Sequence, residues 1–151
     1  MSLIKICLIS SHGGHLRELL DATAEVKGDK YFVTQKAMHT AEILAGERNY
    51  FILDPHLSWG KYAVNLLQSL KHVLRERPEL VIASGAGIVI PSVLLCRFLL
   101  KSKIIFIELS ANVVNPSRTG KFLYRFADLF LIQWPSLQEH YPRAVYCGLI
   151  G

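Results

Sequence analysis

The chain has 151 residues, 51% of them hydrophobic and only 19% charged, with a formal net charge of +5. That length is enough for one domain with a sizeable core, and that composition excludes a disordered chain. The longest apolar stretches, 88–96 and 98–100, are split by Arg97 and fall short of the ~20 residues of a membrane span. The apolar run at 3–9 carries Lys5 and lacks a small-residue cleavage site, so a secretory leader is excluded and the expected location is the cytoplasm. Cys7, Cys96 and Cys147 lie far apart, each in or beside an apolar run, and read as small buried hydrophobes rather than a disulfide frame.

In chain order, residues 4–9 read as a strand. Ser10-Ser11-His12-Gly13-Gly14-His15-Leu16 follows, and a helix is expected over 16–26. Strand, glycine turn and helix together let a backbone approach a phosphate, with the first free N–H groups of the helix aimed at the anion. The same turn also serves as a plain tight turn. A dinucleotide site is disfavoured, because the spacing is not Gly-x-Gly-x-x-Gly and the second strand, 31–33, ends in Thr34-Gln35 instead of an acid. A short helix at 40–46 and a strand at 50–53 come next. Residues 61–77 form an amphipathic helix with Ala63, Leu66, Leu67, Leu70, Val73 and Leu74 on one stripe, expected to pack on the sheet or face a partner.

A strand at 80–83 runs into Ser84-Gly85-Ala86-Gly87, and a helix at 92–101 begins after Pro91, within a segment, 88–100, that is apolar nearly all round. A strand at 104–108 ends in Glu108, and helix 120–127, strand 129–133, helix 136–141 and strand 144–147 complete the series. This βαβ alternation, with continuous apolar strands, predicts an α/β, Rossmann-like, mostly parallel sheet with helices on both faces, in one domain over 1–151. In such sheets ligands sit beyond the carboxyl ends of the strands, where three loops, 11–15, 84–87 and 108–112, converge. Charge is uneven: residues 1–79 carry ten Lys and Arg against nine Asp and Glu, residues 80–151 seven against three. An anionic partner follows, phospholipid or diphosphate before nucleic acid, because the basic residues are single and spaced.

Ser11 to His15, Ala83 to Gly87 with Pro91, Ile107-Glu108, and the run from Gly120 through Asp128 to Leu131-Ile132-Gln133-Trp134-Pro135 resemble one known family over nearly the whole chain. They are similar to the acceptor-binding, membrane-associating subunits of split GT-B glycosyltransferases, eukaryotic and bacterial. The resemblance implies an inverting, metal-independent transfer from a nucleotide-sugar to a polyprenyl-diphosphate-linked saccharide in bacterial polysaccharide biosynthesis. It implies no cofactor. A second subunit would hold the nucleotide-sugar, because the sequence closes at Tyr146-Cys147-Gly148-Leu149-Ile150-Gly151, about where a one-chain enzyme would begin its donor domain. It also implies a peripheral position on the inner face of the membrane.

His15 is the expected general base, biased to its neutral form by the helix N-terminus, with helix capping as its alternative role. His12 is a solvated loop residue, and the two histidines lack a third ligand for zinc. Glu108 is a second candidate base or sugar-hydroxyl partner, or else a cap for the next segment. Ser11, Gly13, Gly14, Ser84, Gly85 and Gly87 are expected to cradle the acceptor diphosphate, with Arg118 and Lys121 as further contacts. Two other functions stay open: a non-catalytic anchor for a catalytic partner, and a lone nucleotide-binding α/β module.

Overall fold

The computed structural model describes residues 3–150. Its strands are β1 (Lys5–Ser10), β2 (Asp29–Thr34), β3 (Asn49–Phe51), β4 (Leu80–Ser84), β5 (Lys103–Ile107), β6 (Leu129–Ile132) and β7 (Val145–Tyr146). The helices between them are α1 (Gly14–Thr23), α2 (Thr40–Ile43), α3 (Trp59–Glu76), α4 (Ile90–Leu99) and α5 (Arg118–Leu123). All neighbouring strands are parallel, in the order β3-β2-β1-β4-β5-β6-β7. The seven expected strands are therefore present in the Rossmann-like arrangement read from the sequence. The helix expected at 136–141 is a single 3-10 turn, Pro135–Leu137, and the Gln138 side chain turns back to the carbonyls of Tyr141 and Ala144 beyond it.

The order turns back on itself between β1 and β4. Chain connections leave in opposite directions there, and a crevice opens beyond the carboxyl ends of the two strands. Ser10 pairs in register with Ser84, so the two loops richest in serine and glycine leave the sheet at the same height. Alternation along the strands serves two cores. Cys7, Ile9, Tyr31, Val33, Val81 and Ala83 face α3 and α4, whereas Ile6, Leu8, Phe32 and Ile82 face Leu16 and Leu19 of α1. Cys7 and Cys96 are buried in the first of these layers, but Cys147 is exposed, contrary to expectation.

Helix α3 lies the other way round from its apolar pattern. It buries Asn65, Ser69, His72 and Glu76 along with Val73, and leaves Leu66, Leu67 and Leu74 exposed. The buried stripe is tolerated because its polar atoms are bonded to one another and to the backbone. Asn65 Nδ2 donates to the Leu53 carbonyl at 2.8 Å, and Ser69 Oγ to Asn65 Oδ1 at 2.9 Å. Ser92 Oγ donates to Ser69 Oγ at 2.8 Å and lies 2.9 Å from His72 Nε2, while Tyr31 Oη lies 3.3 Å from His72 Nδ1. Glu76 closes the row, accepting from Tyr50 Oη at 2.8 Å and pairing with Arg48 and Lys5.

Burial pushes the His72 imidazole down to about 4, with Glu76 opposing the shift. Between the ordinary histidine value near 6.5 and that lower value, the unfolded chain binds a proton that the folded chain does not. Stability therefore falls as the pH drops through this window, by about 3 kcal/mol in all. Urea midpoints measured from pH 7 to pH 4 should decline in the wild type and lose this step in His72→Gln. A His72→Gln curve parallel to the wild type would show that another group drives the acid loss.

Candidate functional site

The loops after β1 and β4 are tied together by Ser11. Its Oγ accepts from the Ala86 N–H at 2.9 Å, and the side chain is buried. Gly85 permits the contact. Its φ is +130°, and a Cβ there would stand 2.7 Å from both the N and the Oγ of Ser11. Gly13 has φ +77° and is the N-cap of α1, with no side-chain cap at that end, so the capping role considered for His15 is not the one it plays. Gly14 meets nothing within 4 Å of a built Cβ. Ser84 departs from expectation. Its side chain is enclosed, in register with Ser10 and one strand from Thr34, and all three hydroxyls lack a protein partner. Any contact that Ser84 makes with a ligand must come from its backbone.

A cavity of about 480 Å³ opens at this edge, lined by His15, Gly85, Gly87, Asn112, Ser117 and Arg118 among others. His15 is half-buried in the first turn of α1, with Nδ1 enclosed and bonded to no protein group. Burial, first of all, holds its pKa below the usual imidazole range, Glu18 and Glu108 push it back up, and His12 pushes it down. The neutral form expected from the helix end is thus favoured chiefly by desolvation. His12 lies exposed, its N–H 3.4 Å from Gln35 Oε1.

Glu108 is not placed as a base. It is 2% exposed, and its carboxylate accepts four hydrogen bonds. They come from Asn112 Nδ2 at 3.0 Å, Ser117 N at 3.1 Å, Ser117 Oγ at 2.7 Å and Tyr141 Oη at 2.7 Å. A base must reach the proton it takes, and these lone pairs are occupied by the loop 112–117. Glu108 instead holds Asn112 and Ser117, which line the cavity beside Arg118. Gly120 packs against it, since a Cβ would collide with the Glu108 carboxylate, Ser117 and Tyr141. Lys121 is exposed and does not line the cavity, because it follows Gly120 onto the outer side of α5.

Glu18, Gln133 and Tyr62 carry weight that the sequence reading missed. Glu18 accepts from Ser110 N and from Ser110 Oγ, and from Gln133 Nε2 at 2.8 Å. Its signal was available: it stands three residues after His15 on one helix face. Tyr62 lines the His15 cavity and also an adjoining groove of about 570 Å³ between α3 and α4. Trp59, Leu66, Leu94, Leu95 and Phe98 line that groove, with Trp59 90% and Phe98 64% exposed.

Residues 55–150, close to two-thirds of the chain and spanning α3 to the C-terminal strand, match the family described as "Oligosaccharide biosynthesis protein Alg14 like". The chain belongs to the Alg14 family. It is 28% identical, over 97% of its length and 83% of the relative's, to the UDP-N-acetylglucosamine transferase subunit ALG14 of Homo sapiens. Among solved structures it is similar to Acinetobacter baumannii MurG, with a TM-score of 0.72 at 15% identity, covering 88% of this chain and 42% of MurG. The UDP-N-acetylglucosamine 2-epimerase of Rickettsia bellii gives a TM-score of 0.72 at 13% identity, covering 97% of this chain and 45% of the epimerase. The chain thus spans less than half of either solved protein, and these likenesses concern the fold. Family and fold together set this Alg14-family chain among glycosyltransferase subunits.

Proposed function

We propose that this Alg14-family chain is the acceptor-side subunit of a two-component inverting glycosyltransferase, acting on a polyprenyl-diphosphate-linked saccharide. The observation that carries this reading is the junction at Tyr62 and Ile90, where the cavity that holds His15, Asn112, Ser117 and Arg118 opens onto the apolar groove. One substrate with an anionic sugar-diphosphate head and an isoprenoid tail needs such a pair of surfaces side by side. His15 is the base of this reaction. It takes the proton of the acceptor hydroxyl while the hydroxyl oxygen bonds to C1 of the donor sugar. The bond from C1 to the nucleotide diphosphate breaks, and the diphosphate leaves with the electron pair. The backbone of Gly13, Gly14, Gly85 and Gly87, together with Ser11 and Arg118, faces the acceptor diphosphate. The relatives' description as UDP-N-acetylglucosamine transferase subunits supports UDP-N-acetylglucosamine as donor and a partner subunit that binds it, with the product entering surface or lipid-linked polysaccharide assembly.

Among the described residues no helix is long and apolar enough to cross a membrane. The α3–α4 groove is the surface proposed to rest on the bilayer, from which the acceptor head enters the cavity. Buried apolar area and the attraction of basic side chains such as Lys61 and Lys101 to anionic lipid, about 1 kcal/mol per charge, would hold it there. Two measurements test the reading. The chain mixed with its partner subunit should transfer N-acetylglucosamine to a polyprenyl-diphosphate sugar, and either protein alone should not. In liposome flotation the wild type should bind vesicles containing anionic lipid, more weakly at high salt, and Phe98→Glu should remain in the lipid-free fraction. Full transfer by the chain alone, or equal flotation of both proteins, would refute the respective half of the proposal.

A further inference from the structure

Glu18 is a half-buried carboxylate that, among the described residues, forms no ion pair. Its partners are all neutral donors. Ser110 gives both its N–H and its hydroxyl from the loop after β5, and Gln133 gives its amide N–H from the end of β6. Three donor groups thus converge on its two oxygens, the acceptors of a carboxylate. Gln133 is itself fixed, 1% exposed, donating also to the Glu108 carbonyl at 2.9 Å and accepting from Ile150 N at 2.8 Å. The oxygens of Glu18 are thus held from two sides, in the absence of a cation. A negative charge placed so, one helical turn from an imidazole with no bonded partner at Nδ1, has its natural counterpart in that imidazole once protonated.

We propose that Glu18 is a positioning residue for His15, supplying the fixed counter-charge that stabilises the imidazolium formed when His15 takes the acceptor proton. The reason is electrostatic preorganisation: the charge is already in place, so no reorganisation accompanies proton transfer. This inference rests on the reading of His15 as base. The other charged groups facing His15 are few. Glu108 at the end of β5 acts in the same direction as Glu18, His12 in the preceding loop acts against it, and Arg118 lines the same cavity from α5. Glu108 is committed to the 112–117 loop and Tyr141, whereas Glu18 shares α1 with His15, three residues on.

The test begins with the isolated chain and no substrate. His15 is followed by NMR titration of its ring in the wild type, Glu18→Gln and Glu18→Asp, with amide spectra checking the fold. Loss of the charge should lower the His15 midpoint by about one pH unit, and Glu18→Asp should keep it near the wild-type value. In the complex with the partner subunit, Glu18→Gln should move the acid limb of kcat/KM to lower pH and cut its plateau about tenfold, and Glu18→Asp should restore most of it. An unmoved His15 midpoint in folded Glu18→Gln overturns the proposal. Should Glu18→Gln unfold, the folded Glu18→Asp decides through the limb alone: a limb displaced as far as expected for lost charge refutes the counter-charge. A midpoint that shifts in the isolated chain while His15→Ala leaves turnover intact would refute the base and leave the coupling standing, so the two failures are distinguishable.

Discussion

Replacing Gly85 by alanine should destabilise the protein by about 2–4 kcal/mol, a fall of roughly 4–16 °C in Tm for a chain of this size, and should abolish transfer in the complex. The cost has two sources. At φ +130° an L-residue is strained wherever it stands. In addition, its Cβ would press on Ser11 N and Oγ at 2.7 Å, and a main-chain nitrogen in the β1–α1 turn cannot swing aside as a side-chain end can. Relief would require the loops after β1 and β4 to part, breaking the Ser11–Ala86 bond that joins the two sides of the cavity. Gly14→Ala is the control. No atom lies within 4 Å of its built Cβ, it is the first residue of α1, and alanine loses less backbone freedom there than glycine does. Gly14→Ala should therefore match or exceed the wild-type Tm. Equal melting temperatures for Gly85→Ala and the wild type would mean that the loops are not clamped as described.

The sheet was legible because parallel strands covered on both faces write themselves as continuous apolar runs, as in residues 80–83 and 104–107. The convergence of Ser11, His15 and Gly85 followed from placing loops at the carboxyl ends of parallel strands, whereas the strand order, and with it the switch point between β1 and β4, is seen only in the folded chain. Two kinds of feature were not legible. Helix α3 was misread because an apolar stripe is ordinarily the buried one. Here the polar stripe Asn65, Ser69, His72 and Glu76 is buried by a hydrogen-bond relay whose partners, Ser92, Leu53 and Tyr31, are distant in sequence. The apolar stripe is released to the groove side and outer surface of the helix. Glu108 was left open between base and cap for a related reason. A carboxylate at a strand end looks equally available as base or as scaffold, and only the arrival of Asn112, Ser117 and Tyr141 from later segments shows its lone pairs to be occupied. Glu18 and Gln133 were overlooked because their meaning lies in each other and in Ser110, three elements that meet only at the sheet edge.

In the complex with the partner subunit, His15→Ala should lower kcat by about 10²-fold or more, the usual scale for losing a general base, while the chain folds and assembles as before. Folding should survive because His15 is half-buried, caps nothing and has no protein hydrogen bond at Nδ1. Truncating it removes a ring from the cavity wall and breaks no network. The pH profile carries the sharper signature. Burial holds the imidazole below its ordinary value near 6.5, so the base form persists to lower pH than in a free histidine. The acid limb of kcat/KM, which reports the free enzyme, should accordingly lie below 6.5 in the wild type. Above that limb the rate should level off, because the base is then fully deprotonated. His15→Ala should lack the limb altogether and run flat at the reduced rate, since no other group facing the cavity takes its place: Glu108 is bonded on both oxygens, and Arg118 carries no lone pair for the proton. A variant that assembles, turns over at the wild-type rate and keeps the acid limb would assign the chain to anchoring its partner and take the chemistry out of this cavity.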